Sequence, residues 1–102
     1  MNKVAVLGAG SWGNALSIVL ADNNHDIRLW THRKEQAEEI NETHRNDNYL
    51  QVDLPHNLKA YYDLQEAIQD VEAIVLVVPS SAIREVCQQL KDILPEGVTI
   101  VH

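Results

Sequence analysis

The fold is decided near the start of the chain, by the run Val4-Ala5-Val6-Leu7-Gly8-Ala9-Gly10-Ser11-Trp12-Gly13. Its first four residues are apolar, which predicts a short strand buried on both faces. The apolar residues that follow, Ala15, Leu16, Val19 and Leu20, recur at helical spacing. The glycines therefore connect a strand directly to a helix, as in the first strand-helix unit of a parallel sheet.

Three glycines at fixed spacing give this turn its chemistry. Gly8 allows a tight turn out of the strand, Gly10 lets the backbone approach a pyrophosphate, and Gly13 lets the helix pack against the strand. The helix N-terminus at Ser11 and Trp12 adds backbone N–H groups and the positive end of the helix dipole, which attract an anion. The pattern predicts a dinucleotide-binding site of the Rossmann type.

Strand and helix patterns alternate through the remaining sequence. Further strands are predicted at 27–30, 58–61, 73–78 and 98–101, and helices at 34–43, 63–68 and from about 80 onward, whereas 45–57 is predicted to be a loop. Asp63 is the expected N-cap of the short helix, with Glu66 completing a capping box, and Ser80 or Ser81 is expected to cap the last helix. The alternation predicts an α/β fold: a doubly wound, mainly parallel sheet with helices on both faces, forming one domain over residues 1–102.

Composition narrows the functional classes. The chain has 102 residues, 45% of them hydrophobic, and a formal charge of −7. An acidic chain repels nucleic acid and anionic membranes, so neither is an expected partner. The single cysteine, Cys87, excludes an internal disulfide and is interpreted as a buried apolar residue on its helix. No apolar run approaches the ~20 residues of a membrane span, and a cytoplasmic location is expected.

The end of the second strand carries a basic cluster where an acid is usual. A carboxylate that binds the ribose 2′-hydroxyl normally lies ~20 residues after the glycines. Here the sequence has His32, Arg33 and Lys34 instead, with the first carboxylate at Glu35. Guanidinium groups bind phosphate in a bidentate manner, so the cluster suits the 2′-phosphate of NADPH. A basic helix start that merely faces solvent is the alternative.

The sequence assigns no catalytic residue and no metal site. None of the five histidines forms a ligand-spaced pair with a carboxylate partner. Ser80 and Ser81 follow a strand, but the G-x-S-x-G pattern of a nucleophile elbow is missing, which argues against a hydrolase.

Taken together, the motifs resemble one family, the NAD(P)-dependent glycerol-3-phosphate dehydrogenases of the bacterial type. The resemblance covers essentially the whole chain and is most specific where Ser11-Trp12-Gly13 is combined with Val78-Pro79-Ser80. The other matching features are the glycine turn, the Leu29-Trp30-x-His32-Arg33 strand end, Asn48-Tyr49-Leu50 and Leu54-Pro55.

This resemblance implies an activity and a set of site residues. It implies an oxidoreductase that interconverts dihydroxyacetone phosphate and sn-glycerol 3-phosphate with NADPH or NADH, and so feeds phospholipid synthesis. It implies that Ser11 and Trp12 contact the cofactor phosphates and nearby groups. By the same resemblance His32 and Arg33 hold the adenosine end, and Tyr49 lies near the cofactor.

The chain departs from the family in size. Family members have a second, helical substrate-binding domain and catalytic lysines beyond the glycine-rich half, so these 102 residues are expected to be inactive alone. The apolar last strand is expected to promote association between copies. Two alternatives stay open: a stand-alone NAD(P)-sensing module, and the cofactor domain of another two-domain dehydrogenase acting on hydroxy acids or hydroxyacyl thioesters.

Overall fold

The computed structural model describes residues 2–44 and 55–101, and strands and helices alternate along them. The strands are β1 (Lys3–Leu7), β2 (Asp26–Trp30), β3 (Leu58–Tyr61), β4 (Ala73–Leu76) and β5 (Thr99–Val101). The helices are α1 (Ser11–Asp22), α2 (Lys34–Thr43), α3 (Leu64–Ala67) and α4 (Ser80–Lys91). The predicted elements are confirmed within about two residues at each end. Most of the predicted loop, residues 45–54, lies outside the described residues.

The five strands form one parallel sheet in the order β3-β2-β1-β4-β5. The chain first builds outward from β1 to β3 and then returns to add β4 on the other side of β1. The order of the strands therefore reverses between β1 and β4, which is where open sheets of this class bind ligands. This topology confirms the predicted doubly wound, Rossmann-type fold.

Both faces of the sheet are covered. One apolar layer joins the sheet to α1 and α2 and contains Val4, Val6, Ala21, Ile27, Leu29, Ala37, Ile40, Leu58 and Ala60. The other joins it to α3 and α4 and contains Ala5, Leu7, Trp30, Leu64, Ala67, Ile68, Ile74, Leu76, Val86 and Leu90. Successive residues of β1 belong to opposite layers, as side chains along a strand must. None of the helices in the described part of the chain is long and apolar enough to cross a membrane.

Helix α1 packs on the sheet through small and polar side chains. Asn14 and Ser17 are fully buried and Ala21 is 3% exposed, whereas Val19 is 56% exposed. The apolar spacing correctly predicts a helix here, but its most regular apolar positions do not form the innermost face. Small residues on that face let the helix lie close to the sheet.

The start of α4 corrects one prediction. Neither Ser80 nor Ser81 caps the helix; Pro79 is the N-cap residue, and no side chain makes a capping hydrogen bond. The Pro79 carbonyl accepts a hydrogen bond from the Ala82 N–H at 2.8 Å. Since the proline ring fixes φ, here −57°, the chain is already set to enter the helix without a side-chain cap.

The position of Cys87 corrects a second prediction. Val86 and Leu90 are the buried residues of α4, and Cys87 is exposed. One helical position rotates a side chain by about 100°, which is enough to turn Cys87 out of the narrow buried stripe.

The short helix α3 is held at both ends. At its start the Asp63 carboxylate accepts a hydrogen bond from the Gln65 N–H at 3.0 Å, so the predicted N-cap is confirmed. The capping box is not, because the Asp63 N–H makes no hydrogen bond with the Glu66 side chain. At its end the Arg28 guanidinium, from β2, donates to the carbonyls of Glu66 and Gln69. These contacts satisfy backbone groups that so short a helix cannot pair internally.

Candidate functional site: a cleft at the carboxyl ends of the strands

A cavity of about 920 Å³ opens at the carboxyl ends of β1, β2 and β4. Its size suits a ligand as large as a dinucleotide. Residues that follow three strands line it: Gly8, Ala9, Gly10, Trp12 and Gly13 after β1; Thr31, His32, Arg33 and Gln36 after β2; Val77, Val78, Pro79 and Ser80 after β4. The cavity thus lies at the point where the strand order reverses, as the topology requires.

Two of the glycines in the turn are required by packing. Gly8 has φ +126°, and a Cβ there would lie 2.8 Å from the Val77 carbonyl oxygen, so only glycine lets the turn pass β4. A Cβ on Gly13 would lie 1.8 Å from the Gly8 carbonyl oxygen. The absence of a side chain at Gly13 therefore lets α1 lie directly against the turn that precedes it.

Gly10 differs, because it is required by neither packing nor backbone conformation. A Cβ built on Gly10 would meet nothing within 4 Å, so that position faces the open space of the cavity. The first helical hydrogen bond of α1 runs from the Asn14 N–H to the Gly10 carbonyl at 3.0 Å. The three preceding N–H groups have no acceptor within the helix and lie beside this space, an arrangement that suits a phosphate group.

The basic residues lie on the β2 side of the cavity. His32 and Arg33 line it and are exposed, and Lys34 begins α2. Among the described residues the one ion pair joins Lys34 to Glu38 at 3.9 Å, so His32 and Arg33 have no carboxylate partner there. The Arg33 guanidinium is therefore available to an anionic ligand, with the His32 ring beside it.

A polar network that the sequence patterns did not predict joins the β1 side of the cavity to the β2 side. The Thr31 hydroxyl donates to Gln36 Oε1 at 2.6 Å, and Gln36 Nε2 donates to the Ala9 carbonyl at 3.3 Å. Asn14 Nδ2 donates to the same carbonyl at 2.7 Å. A signal did exist in the sequence: Gln36 lies one position before Ala37, on the otherwise apolar inner side of its helix.

Two aromatic residues that the sequence did not predict as part of the site line the cavity. Trp30 and Tyr62 line it, and the indole Nε1 of Trp30 donates to the Tyr62 carbonyl at 3.1 Å. The Lys34 ammonium lies 5.7 Å from the centre of the Tyr62 ring. Tyr62 directly follows β3, so its place at the carboxyl edge of a parallel sheet was the available signal. Trp30 is buried, whereas Tyr62 is 50% exposed and offers a flat aromatic face that can stack on a heterocyclic base.

Most of the predicted site residues meet at this cavity. Gly8, Gly10, Trp12, Gly13, His32 and Arg33 all line it. Ser11 is the first residue of α1, but its side chain is outside the described part of the structure, and Tyr49 lies outside the described residues. Over residues 2–44 and 55–101, no group of three or more His, Cys, Asp or Glu side chains could hold a metal ion.

Comparison with known proteins agrees with the geometry. The sequence pattern described as "NAD-dependent glycerol-3-phosphate dehydrogenase N-terminus" matches residues 3–102. A glycerol-3-phosphate dehydrogenase [NAD(P)+] from Oceanobacillus iheyensis is 59% identical over 102 residues, which are 100% of this chain and 30% of that protein. One from Lysinibacillus sphaericus is 55% identical, over 100% of this chain and 30% of the relative. The chain thus spans about a third of the length of these relatives.

Solved structures give the same result. The glycerol-3-phosphate dehydrogenase of Coxiella burnetii superposes with a TM-score of 0.92 at 38% identity, covering 97% of this chain and 31% of that one. The enzyme from Saccharomyces cerevisiae superposes with a TM-score of 0.90 at 32% identity, covering 97% of this chain and 32% of that one. The chain therefore belongs to the NAD-dependent glycerol-3-phosphate dehydrogenase family, whose N-terminal, NAD-binding part it matches from residue 3 to residue 102.

Proposed function

We propose that the chain binds NADPH or NADH in the cavity, as the cofactor-binding part of an enzyme that interconverts dihydroxyacetone phosphate and sn-glycerol 3-phosphate. One observation carries the binding proposal: the open space at Gly10, directly beside the N-terminus of α1. A glycine that neither packing nor backbone conformation demands is explained by a ligand that occupies the place of its side chain.

Each predicted residue has a role in this proposal. The pyrophosphate lies against the turn formed by Gly8, Gly10 and Gly13 and against the N–H groups that open α1. Trp12, which is 83% exposed, covers the cofactor on the outer side of the turn. The family resemblance adds Ser11 near the phosphates and Tyr49 near the cofactor.

The basic residues set the proposed preference for NADPH. His32 and Arg33 lie at the end of β2, where dinucleotide-binding sheets hold the adenosine ribose. Because His32 and Arg33 stand where a ribose-binding carboxylate is usual, and the guanidinium has no carboxylate partner in the described part of the chain, the 2′-phosphate is the better match.

The chemistry of hydride transfer is supplied by the nicotinamide when the cofactor is bound. This chain binds and orients the cofactor and shields one side of it. The groups that bind the triose phosphate and exchange its proton are proposed to lie in the larger part of the relatives that this chain does not match.

Arginine removal tests the cofactor assignment. A charge-assisted hydrogen bond contributes ~1.5–3 kcal/mol, so Arg33→Ala should weaken NADPH binding about 10- to 100-fold and NADH binding much less. Arg84→Ala is the matched control, because Arg84 is exposed on α4 and is not among the residues that line the cavity. Equal weakening of both cofactors would show that Arg33 does not contact the 2′-phosphate.

A second experiment tests the substrate. The whole protein, mixed with dihydroxyacetone phosphate and NADPH, should oxidise the cofactor at a rate that depends on the triose phosphate. Binding of NADPH without oxidation by dihydroxyacetone phosphate would instead favour a sensing module or a dehydrogenase with another substrate.

We also propose that copies of the chain associate along β5. We propose further that the protein is cytoplasmic. All three residues of β5 are exposed, including the apolar Ile100 and Val101, and exposed apolar side chains on an outer strand suit contact with a second copy. The cytoplasmic location is supported by the exposed free thiol of Cys87, which suits a reducing compartment. Light scattering over a concentration series should show dimers that Ile100→Lys disperses; a monomer at every concentration would contradict the association.

A further inference from the structure

The two halves of the proposed cofactor site are joined by one buried glutamine. Gln36 is 8% exposed and lies on α2, between the turn that carries Arg33 and the glycine turn. We propose that Gln36 is a positioning residue, which couples recognition of the 2′-phosphate to the geometry of the pyrophosphate-binding turn. This inference rests on the proposed function, and it names a residue that the family resemblance does not supply.

The hydrogen bonds run from donor to acceptor in one direction. They start at the turn that carries Arg33, called the basic turn below, and end at the glycine turn. The Arg33 N–H donates to Thr31 Oγ1 at 3.2 Å, which leaves the Thr31 hydroxyl to donate to Gln36 Oε1 at 2.6 Å. With its oxygen engaged, the Gln36 amide directs its nitrogen to the Ala9 carbonyl at 3.3 Å. A carbonyl can only accept, so every group in this series has a partner of the right kind.

At the glycine turn, the network fixes the orientation of one peptide. Two amide nitrogens, Gln36 Nε2 and Asn14 Nδ2, donate to the Ala9 carbonyl. No peptide bond in the described residues is cis, and in a trans peptide the C=O and the following N–H point in opposite directions. The Gly10 N–H is therefore directed away from both amides while Gly10 faces the cavity. A flip of this peptide would present an oxygen, which repels phosphate, instead of a donor.

At the basic turn, the network fixes the backbone that carries the guanidinium. Arg33 is the N-cap residue of α2 and has an extended backbone, with no side-chain cap of its own. The bond from its N–H to the Thr31 hydroxyl holds this conformation, and Thr31 is 3% exposed. Loss of Gln36 would leave the Thr31 hydroxyl without its acceptor and would loosen the turn from which Arg33 reaches the ligand.

Burial makes the network rigid. Thr31, Gln36 and Asn14 are all buried, so solvent does not readily replace a hydrogen bond that opens, and opening one costs free energy. The bonds at the two turns therefore support one another through Gln36. A substitution at one turn should therefore change the effect of a substitution at the other, whereas independent contacts would give additive effects.

The test compares both cofactors in variants of the whole protein. Gln36→Met keeps the length of the side chain and removes its hydrogen bonds; it should raise the Kd for NADPH about five- to tenfold and that for NADH about twofold. The preference for NADPH should fall accordingly. Gln88→Met, at an exposed site on α4 that does not line the cavity, is the matched control and should change neither value.

Two further measurements separate positioning from simple stability. In the Arg33→Ala background, Gln36→Met should cost NADPH affinity only about twofold, because the group it positions is gone. Thr31→Val removes the hydroxyl and should reproduce the loss of preference, whereas Thr31→Ser keeps it and should restore the preference. This threonine pair also serves as the test if Gln36→Met does not fold.

These measurements distinguish a failure of the proposed function from a failure of the role proposed for Gln36. If the wild type binds neither cofactor, the proposed function fails and the inference fails with it. If the wild type binds NADPH but Gln36→Met lowers only the melting temperature, Gln36 supports the fold and the inference alone is overturned. Equal weakening of NADPH and NADH, or full additivity with Arg33→Ala, would likewise refute the coupling and leave the cofactor site intact.

Discussion

Alanine substitutions at Gly13 and Gly10 should affect different properties, although the two glycines are three residues apart. Gly13→Ala should destabilise the fold, whereas Gly10→Ala should weaken cofactor binding. At Gly13 the new Cβ would lie 1.8 Å from the Gly8 carbonyl oxygen, whereas ordinary contact begins at 3.4 Å, so α1 must withdraw by about 1.6 Å. The two closest atoms, the carbonyl oxygen and carbon of Gly8 at 1.8 and 2.8 Å, belong to the backbone, so no flexible side chain can move aside to relieve the clash.

The magnitude follows from two opposing terms. Overpacking of this kind typically costs 1–3 kcal/mol, and a rigid backbone contact belongs at about the upper end of that range. Alanine recovers up to about 1 kcal/mol through its higher helix propensity. Gly13→Ala should therefore lower the free energy of unfolding by at least about 2 kcal/mol, which in a domain of about 100 residues lowers the melting temperature by roughly 8–16 °C.

Gly10→Ala provides the control. Its φ of −76° and ψ of −171° suit alanine, and the new Cβ meets no atom within 4 Å, so its cost should stay below about 1 kcal/mol. The same methyl group enters the space proposed for the pyrophosphate, and NADPH affinity should fall at least about tenfold. Thermal melts followed by circular dichroism without cofactor, and NADPH titrations, measure the two effects. A Gly13→Ala melt within about 3 °C of the wild type would refute the close-packing argument.

Other predictions concern parts of the molecule away from the cavity. Asp63→Ala removes the cap of α3 and should cost about 1 kcal/mol, visible as a melting temperature roughly 4–8 °C lower with unchanged NADPH affinity; an unaltered melt would contradict the capping role. Cys87 should react with a thiol reagent in native buffer as readily as a free thiol, and protection that lasts until unfolding would show that it is buried. Arg28→Met should destabilise the protein by about 1 kcal/mol through lost bonds to the end of α3, and equal denaturation midpoints in urea would argue against it.

The sequence predicts the main framework of this fold because its local signals agree. The apolar run before Gly8 and the glycine spacing indicate strand, turn and helix together, and the structure confirms all three. Alternation of strands and helices then leaves few topologies other than a doubly wound sheet. Spacing along the chain is enough here, since each signal is local.

Features that depend on distant neighbours are harder to predict. Apolar periodicity does not identify Asn14 and Ser17 as the buried face of α1, because their burial depends on how closely the helix approaches the sheet. The role of Gln36 depends on contact with Ala9, 27 residues earlier in the chain. Tyr62 becomes part of the cavity wall only through the order of the strands, which no single segment specifies.

The pairing of β1 with β4 also has a consequence for the time at which the cleft forms during folding. Val4 pairs with Ala73, so the glycine turn gains its second wall only after a long loop of chain has closed. Such long-range parallel pairing is slow compared with helix formation. In refolding, the recovery of NADPH binding should therefore follow the slow kinetic phase, after most helical signal has returned. During synthesis, the chain should gain affinity for its cofactor only after β4 has left the ribosome.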